Sequence, residues 1–208
     1  VAENQELIFH IYEWMRYIGR MAFPIYCFLL VEGFLHTRNV AKYAGRLALF
    51  ALVSEVPFDL AISGQWWIYS SNNVFFTLVL GLLAIWALSY LEKFYEFWQE
   101  KNWEPILGKI LTLSAGLIVI VGFGALADMV LFTDYGLGGI VAIVILYLLR
   151  GQRMIAFAGC VMALTVITGD IELLAMFMLY PVMKYDGTRG KNMKYIFYAF
   201  YPVHLLLF

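Results

Sequence analysis

The chain has 208 residues, of which 63% are hydrophobic, 18% are aromatic and only 14% are charged. A soluble domain of this length is nearer half apolar and a quarter charged, so the composition excludes an ordinary soluble domain and indicates an integral membrane protein. With a net charge of −1, the chain lacks the basic character that nucleic-acid binding needs. Cys27 and Cys160 each lie inside an apolar run, which favours neither a disulfide nor a metal site.

About eight apolar segments are candidate membrane-spanning helices, since a span needs roughly 20 apolar residues, or fewer where it is broken or buried in protein. In chain order they lie at about 16–36, 43–63, 73–92, 106–127, 136–150, 154–168, 171–183 and 194–208. The last four are short, and their glycines and Pro181 favour tilted or interrupted helices. We therefore predict an all-α, polytopic transmembrane bundle in a single domain, 1–208.

The two ends of the chain indicate a longer polypeptide. The sequence begins at Val1 without a methionine, in an acidic, amphipathic stretch, and stops at Phe208 in the middle of an apolar helix. We expect further residues before Val1 and after Phe208.

The charges alternate from loop to loop. The loops at 36–46, 92–109, 150–153 and 184–194 carry every lysine and arginine except Arg16 and Arg20, and the loops between them carry none. Positively charged loops stay on the cytoplasmic side of a membrane. We therefore predict a multi-pass protein of the inner (cytoplasmic) membrane, with the basic loops in the cytoplasm and the N-terminal segment outside.

Ionisable residues inside spans are costly unless they are paired or face water. Near the outer side, Arg16 and Arg20 are four residues apart, as are Glu55 and Asp59, so each pair shares a helix face. We predict that the first two helices are antiparallel neighbours, which puts Arg20 and the two carboxylates at similar depth. The same side carries Asn72, Asn73, Asp134 and Tyr135. The alternatives are a buried ion-pair network that fixes helix register, or a polar cavity that orients a substrate or an activating carboxylate.

Two basic turns lie on the predicted cytoplasmic side. The first contains His36, Arg38, Asn39, Lys42 and Arg46, and the second contains Lys184, Arg189, Gly190, Lys191 and Lys194. They are either topology determinants alone or an anion site for a phosphorylated cofactor. Residues 186–191 combine flexible backbone amides with cations, which suits a diphosphate.

His204 lies near the middle of the last predicted span, after Tyr201 and Pro202. An imidazole can act as a base near neutral pH. The alternative is a hydrogen-bonded structural histidine.

Several stretches, in order, resemble the motifs of the TraX family. Residues 16–34 (RYIGRMAFPIYCFLLVEGF) and their continuation at 36–47 resemble its second-helix motif. The later motifs resemble 54–60 (SEVPFDL), 73–78 (NVFFTL), 134–136 (DYG), 185–190 and 194–205 (KYIFYAFYPVHL). The resemblance runs from Arg16 to Phe208 and is weakest at 92–127 and 150–180.

The resemblance implies a function. TraX proteins are associated with conjugation, and the founding member acetylates the N-terminus of pilin. They are grouped with membrane-embedded acyltransferases, which use cytoplasmic acyl-CoA and acylate a substrate at the opposite face. This implies acetyl-CoA as co-substrate, no metal, and an outer acceptor such as a peptide N-terminus, a glycan or a small molecule.

The sequence departs from the family at its start. The family usually begins with a helix that carries an Asp-His-Ile-Gly-like motif, and the catalytic histidine of the superfamily lies in that helix. Residues 1–15 lack it, since His10 follows Phe9 and precedes Ile11. We expect this helix, with the principal base, to precede Val1.

The resemblance suggests roles for the polar residues. A histidine, either His204 or the upstream one, deprotonates the acceptor. Glu55 or Asp59 orients the histidine or the acceptor. Arg20, Tyr135 or Tyr201 stabilises the oxyanion. The predicted cofactor-binding residues are His36, Arg38, Asn39, Arg46, Arg189 and Lys191. The predicted substrate-binding residues are Arg16, Asn73, Asp134 and Tyr201.

Two other classes of function stay open. Intramembrane charges also line the pathways of transporters and channels, although the chain lacks an inverted repeat. A non-enzymatic assembly partner of a conjugation or secretion system would bind a protein and no CoA.

Overall fold

The computed structural model describes residues 10, 17, 19–66, 68, 71–101, 105–188 and 194–205. In this part of the chain the regular structure is helical, and an isolated β-bridge between Asn72 and Thr133 belongs to no strand. The prediction of an all-α protein is confirmed.

The first three helices are α1 (Ala22–His36), α2 (Val40–Ser63) and α3 (Val74–Glu100). The Asn39 side chain caps α2 by accepting a hydrogen bond from the Lys42 backbone N–H at 2.8 Å. The Asn73 side chain caps α3 in the same way, through the Phe75 backbone N–H at 3.0 Å. These caps fix the starts of both helices close to the predicted spans, whereas α3 continues past its predicted end at 92.

Helix α4 (Pro105–Ala125) continues into a π-helical turn, Leu126–Val130, and α5 follows at Gly136–Leu148. Asp128 in that turn caps α5, since its Oδ1 accepts a hydrogen bond from the Leu137 backbone N–H at 2.9 Å. Gly136 has a φ of +45°, and a Cβ there would overlap the Asp128 carboxylate. The start of α5 therefore requires glycine.

The last helices are α6 (Arg153–Thr168), α7 (Leu179–Lys184) and α8 (Lys194–Leu205), and a 3-10 helical segment, Asp170–Met178, precedes α7. The predicted interruption is thus present in the span at 171–183, where 3-10 geometry changes to α at Leu179. Helices α5 and α6 are continuous.

Helix α5 lies at the centre of the bundle, where it packs against α6, α3, α4 and α1. Helix α1 packs against α3, α6 and the 3-10 segment as well, whereas α2 packs against α3 and α8. The largest fully buried apolar side chains are Leu82, Ile85, Ile140, Ile143, Leu146, Phe157 and Leu164. The core therefore lies between α3, α5 and α6.

Two helical stretches in the described part of the chain are long and apolar enough to cross a membrane, Val74–Glu100 and Ile106–Val130. The most apolar window of Val74–Glu100 is 56% buried inside the bundle, whereas that of Ile106–Val130 is only 11% buried. Helix α4 thus turns an apolar face outward, where a lipid bilayer would cover it. Three further apolar helices (α1, α5 and α6) are shorter, so eight full spans are not confirmed.

The bundle has two polar ends. We call the end that carries Arg20, Tyr135 and Glu172 the Arg20 end, and the opposite end, with Glu32 and Arg153, the Arg153 end. Arg153 contacts Glu32 near the end of α1, and Arg150 contacts Glu92 in the last third of α3, so the turn between α5 and α6 lies beside these parts of α1 and α3 at the Arg153 end. The basic loops therefore group at one end of the bundle.

Candidate functional site

An ion-pair cluster occupies the Arg20 end. The Arg20 Nη1 donates to Glu172 Oε1 at 3.1 Å and to the Tyr135 hydroxyl at 3.4 Å. The Tyr135 ring stacks on Phe23, with 3.5 Å between the ring centroids. The Glu172 side chain is fully buried, whereas that of Arg20 is 31% exposed. A buried carboxylate is thus held by a cation that an incoming molecule can reach.

This pairing differs from the predicted one. The sequence predicts that the first two helices are antiparallel neighbours and that Arg20 lies at the same depth as Glu55 and Asp59. In the structure α1 packs against the 3-10 segment that carries Glu172, and α2 packs against α3 and α8 instead. The carboxylate partner of Arg20 is therefore Glu172, a residue that the sequence analysis missed.

Tyr135 and Asp134 lie in the turn before α5. Burial raises the pKa of the Tyr135 phenol above its usual range, and the charge of Glu172 raises it further. Tyr135 is therefore a neutral hydroxyl at physiological pH. Asp134 is exposed, as its predicted role in substrate binding requires.

The turn that carries Asp134 is bound to the segment before α3. The Asp134 backbone N–H donates to the Asn72 carbonyl at 3.1 Å, and the Asn72 N–H donates to the Phe132 carbonyl at 3.0 Å. The Asn72 side chain also donates to the Leu131 carbonyl. These two loops of the Arg20 end thus form one connected surface.

Glu55 and Asn73 form a buried pair. The Asn73 backbone N–H donates to Glu55 Oε2 at 3.2 Å, and its side-chain Nδ2 donates to the Ala51 carbonyl at 2.8 Å. Asn73 is fully buried, and these hydrogen bonds join the start of α3 to α2. Its predicted role in substrate binding stays a prediction. Glu55 Oε1 is buried and has no hydrogen-bond partner among the described residues.

Asp59 and Tyr201 lie near this pair. Asp59 Oδ2 accepts a hydrogen bond from the Ile68 backbone N–H at 2.7 Å, so this carboxylate anchors the segment after α2. The Tyr201 ring packs edge-on against Phe75 at 5.2 Å, within electrostatic range of Glu55 and Asp134. Tyr201 thus lies beside the start of α3 at the Arg20 end. Its predicted role in substrate binding stays a prediction.

Some predicted site residues lie outside the described part of the chain. These are Arg16, Arg189, Lys191 and the side chain of His204, whose backbone lies in α8. Their predicted roles stay predictions.

The first basic turn is partly occupied by structural contacts. Asn39 caps α2, and the His36 Nδ1 donates to the Glu32 carbonyl at 2.8 Å. The Arg46 guanidinium lies 5.7 Å from the Tyr43 ring centroid. Arg38 is exposed.

An open cavity of about 580 Å³ lies at the Arg153 end. Its polar lining comes from Arg150, Gln152, Arg153 and Tyr185. In the sequence, Arg150 and Arg153 are recognisable only as cations of a basic loop. A single sequence does not show that the turn before α6 meets the end of α7.

Arg153 is held in place from several directions. Its Nη1 donates to the Tyr185 carbonyl at 3.1 Å, and its Nε lies 3.8 Å from Glu32 Oε1. Its guanidinium also lies over the Tyr185 ring, 5.3 Å from the centroid. Gly187 has a φ of +81°, and a Cβ there would come within 2.8 Å of Arg153 Nη2. The cavity thus contains a preorganised cation.

The turn after α7 has its own local geometry. Asp186 Oδ1 accepts hydrogen bonds from the Thr188 backbone N–H at 2.8 Å and from the Thr188 hydroxyl at 2.7 Å. These donors lower the pKa of the Asp186 carboxyl. An ionised Asp186 would repel an anion, so an anion at this end is better received by Arg150 and Arg153. Within the described residues, no group of three or more His, Cys, Asp or Glu side chains is arranged to hold a metal ion.

Comparisons with known proteins agree with the motifs. The sequence profile of the family described as TraX protein matches residues 4–208. A curated relative from Dichelobacter nodosus is 30% identical over 222 residues, which cover 94% of this chain and 82% of the relative. That relative is described as a probable fimbrial assembly protein FimC, serogroup H1. No solved structure matches the chain.

Proposed function

Because the chain belongs to the TraX family, we propose that it is an integral membrane acyltransferase that serves pilus or fimbrial assembly. It transfers an acetyl group from cytoplasmic acetyl-CoA to an amine or hydroxyl of an acceptor at the outer face. The name of the Dichelobacter nodosus relative supports the assembly context.

The observation that carries the proposal is the open cavity at the Arg153 end. Its volume of about 580 Å³ is that of an ordinary small-molecule site, which spans roughly 300–1,000 Å³. Arginine is the residue that binds phosphate groups best, because its planar guanidinium donates two parallel hydrogen bonds. Arg150 and Arg153 therefore suit the phosphates of CoA. The roles of His36, Arg38, Asn39, Arg46, Arg189 and Lys191 in cofactor binding stay predictions.

The acceptor binds at the Arg20 end in this proposal. Arg20 is 31% exposed, Tyr135 is buried and neutral, and Asp134 is exposed. Together they offer a positive charge, a hydroxyl group and a negative charge. Arg20 and Tyr135 would stabilise an oxyanion, and Tyr201 lies close enough to take part. His204 would supply the base, and Glu55 has a carboxylate oxygen available to orient it.

The proposed location is the inner membrane, with several crossings and the Arg153 end in the cytoplasm. Two apolar helices and the grouping of the basic loops at one end support this orientation. The lipid bilayer would cover the outward face of α4.

Binding of acetyl-CoA to the full-length protein in nanodiscs tests the proposal. We expect Arg153→Ala to weaken binding at least tenfold, since it removes a charge-assisted phosphate contact worth about 1.5–3 kcal/mol. Lys101→Ala is the control, an exposed cation of a basic loop that does not line the cavity and has no predicted role in cofactor binding, and we expect a smaller effect. Well-folded protein that binds no acetyl-CoA would rule out the enzyme.

The relative's name favours one alternative, a non-enzymatic assembly partner. Such a protein would co-purify with a fimbrial or pilus subunit and leave acetyl-CoA unbound. The same binding measurement therefore separates the two functions.

A further inference from the structure

Each arginine of the open cavity already faces a carboxylate. The Arg150 Nη2 donates to Glu92 Oε2 at 3.0 Å, and the Arg153 Nε lies 3.8 Å from Glu32 Oε1. The side chain of Glu92 is 36% exposed, whereas that of Glu32 is only 13% exposed. Water screens a buried charge less than an exposed one. Of the two carboxylates, Glu32 therefore acts more strongly on the potential of the cavity.

Glu32 lies on the inner side of both arginines. A second, smaller cavity of about 10 Å³ is lined by Glu32, Arg150 and Arg153, together with apolar side chains of α1, α5 and α6. This is the room of a single water molecule, so one water-mediated contact suffices to join the carboxylate to either guanidinium group. Glu32 Oε2 is buried and has no hydrogen-bond partner among the described residues. The carboxylate thus reduces the positive potential that both arginines present to the open cavity.

Arg153 does not depend on Glu32 for its position. Its Nη1 donates to the Tyr185 carbonyl at 3.1 Å, and its guanidinium lies over the Tyr185 ring. The distance of 3.8 Å from its Nε to Glu32 Oε1 is too long for a hydrogen bond. Loss of the Glu32 charge would therefore leave the guanidinium in place and make more of its charge available to a ligand.

The phosphates of CoA take no part in acyl transfer. They are the same in the acyl-CoA donor and in the free CoA product, so contacts with them stabilise both complexes equally. Where such contacts are too strong they slow the release of product, which limits the turnover of many enzymes. A carboxylate that weakens the contacts with phosphate favours turnover.

We propose that Glu32 sets the affinity of the open cavity for phosphate groups, because its carboxylate competes with them for the positive charge of Arg153 and Arg150. The inference rests on the proposed function, which puts the phosphates of CoA in that cavity. It gives Glu32 a role in the release of the CoA product.

The test compares free CoA and acetyl-CoA for their affinities and dissociation rates with the full-length protein in nanodiscs. Glu32→Gln keeps the shape of the side chain and removes its charge. We expect both ligands to bind about fivefold more tightly, since a unit charge roughly 8 Å from a phosphate changes affinity by about this factor. The two ligands should gain equally, mainly through slower dissociation. Glu32→Ala, a second neutral variant, should tighten binding in the same direction.

Two variants are controls. Glu32→Asp keeps the charge and should leave both affinities within about twofold of the wild type. Glu100→Gln removes the same charge from an exposed position that lines neither cavity, where solvent and salt screen it. It should also change affinity by less than about twofold. Thermal unfolding shows that each variant is folded, and a loss of structure would not produce tighter binding.

The failures of the two proposals are distinguishable. Folded Glu32→Gln and Glu32→Ala proteins that bind CoA no more tightly than the wild type would overturn the role of Glu32, while CoA binding by the wild type would still support the proposed function. Equal tightening by Glu32→Asp would overturn it too, because that variant retains the charge. A folded wild type that binds neither ligand overturns both proposals.

Discussion

Glu172 is an acidic residue in a fully buried position. Its side chain is fully buried, Oε1 is paired with Arg20 and Oε2 has no hydrogen-bond partner among the described residues. A buried carboxylate that loses its cation is strongly destabilising, because its charge is then left uncompensated in a poorly polar environment. The stability of the Arg20 end thus depends on one ion pair.

The pair can be tested by substitution of its members. We expect Arg20→Ala to lower the free energy of unfolding by about 1–3 kcal/mol, less than for a fully buried pair because Arg20 is partly exposed. Adding Glu172→Gln should recover part of that loss, since a neutral amide is less costly to bury. Thermal unfolding in detergent measures both variants.

Glu55→Gln provides the control for this prediction. Glu55 is bonded to Asn73 and not to Arg20, so its substitution should recover nothing in the Arg20→Ala background. Recovery by Glu55→Gln and none by Glu172→Gln would support the pairing that the sequence suggests.

At the level of single residues, the sequence identifies the polar groups better than their partners. Spacing along one helix predicts that Arg16 and Arg20 share a face, but the partner of Arg20 lies 152 residues away. Nothing local distinguishes Glu172 from Asp170 beside it, because burial is decided by helices that pack only in the folded chain. The same holds for Arg150 and Arg153, which line a cavity only because α7 ends beside them.

At the scale of elements, apolar segments predict the helices well and their ends less well. The caps at Asn39 and Asn73 set the starts of α2 and α3 by local hydrogen bonds that a sequence can reveal. Helix α3 runs on to Glu100, beyond its apolar stretch, and Glu92 pairs with Arg150 from the turn after α5. The 3-10 segment at 170–178 has an apolar composition that also suits an α-helix, so composition alone does not distinguish them.

The outward face of α4 gives a prediction at this scale. Ile118 is 71% exposed in the middle of the apolar stretch, and a lysine at the centre of a membrane span costs about 2.5–3.5 kcal/mol. We expect Ile118→Lys to reduce the amount of protein recovered in the membrane fraction.

Ile106→Lys is the matched control, since Ile106 is also 71% exposed but lies at the start of the same helical stretch. A lysine there can extend its ammonium group to the membrane surface. Equal recovery of Ile118→Lys and wild type would show that α4 does not face lipid.

At the scale of the molecule, the distribution of charge separates the two ends. The basic loops group at the Arg153 end, and the loops at the Arg20 end contain acidic and neutral residues. The proposed function needs these ends on opposite sides of a membrane, since donor and acceptor arrive from different compartments.

Single cysteines introduced at the two ends test this arrangement. Gln65 and Lys101 are exposed, and the native Cys27 and Cys160 are buried and should label slowly. In intact cells we expect a membrane-impermeant maleimide to label Gln65→Cys and to leave Lys101→Cys unlabelled until the membrane is permeabilised. Labelling of both positions in intact cells would contradict the predicted orientation.

The hydrogen bonds between the Asn72 segment and the turn at 131–134 have a consequence for recognition. Loops that are already ordered lose little conformational entropy when a molecule docks against them. The adjustment of shape on docking then falls on the incoming molecule. A flexible chain terminus can make that adjustment, whereas a rigid folded surface would fit only if its contour already matched.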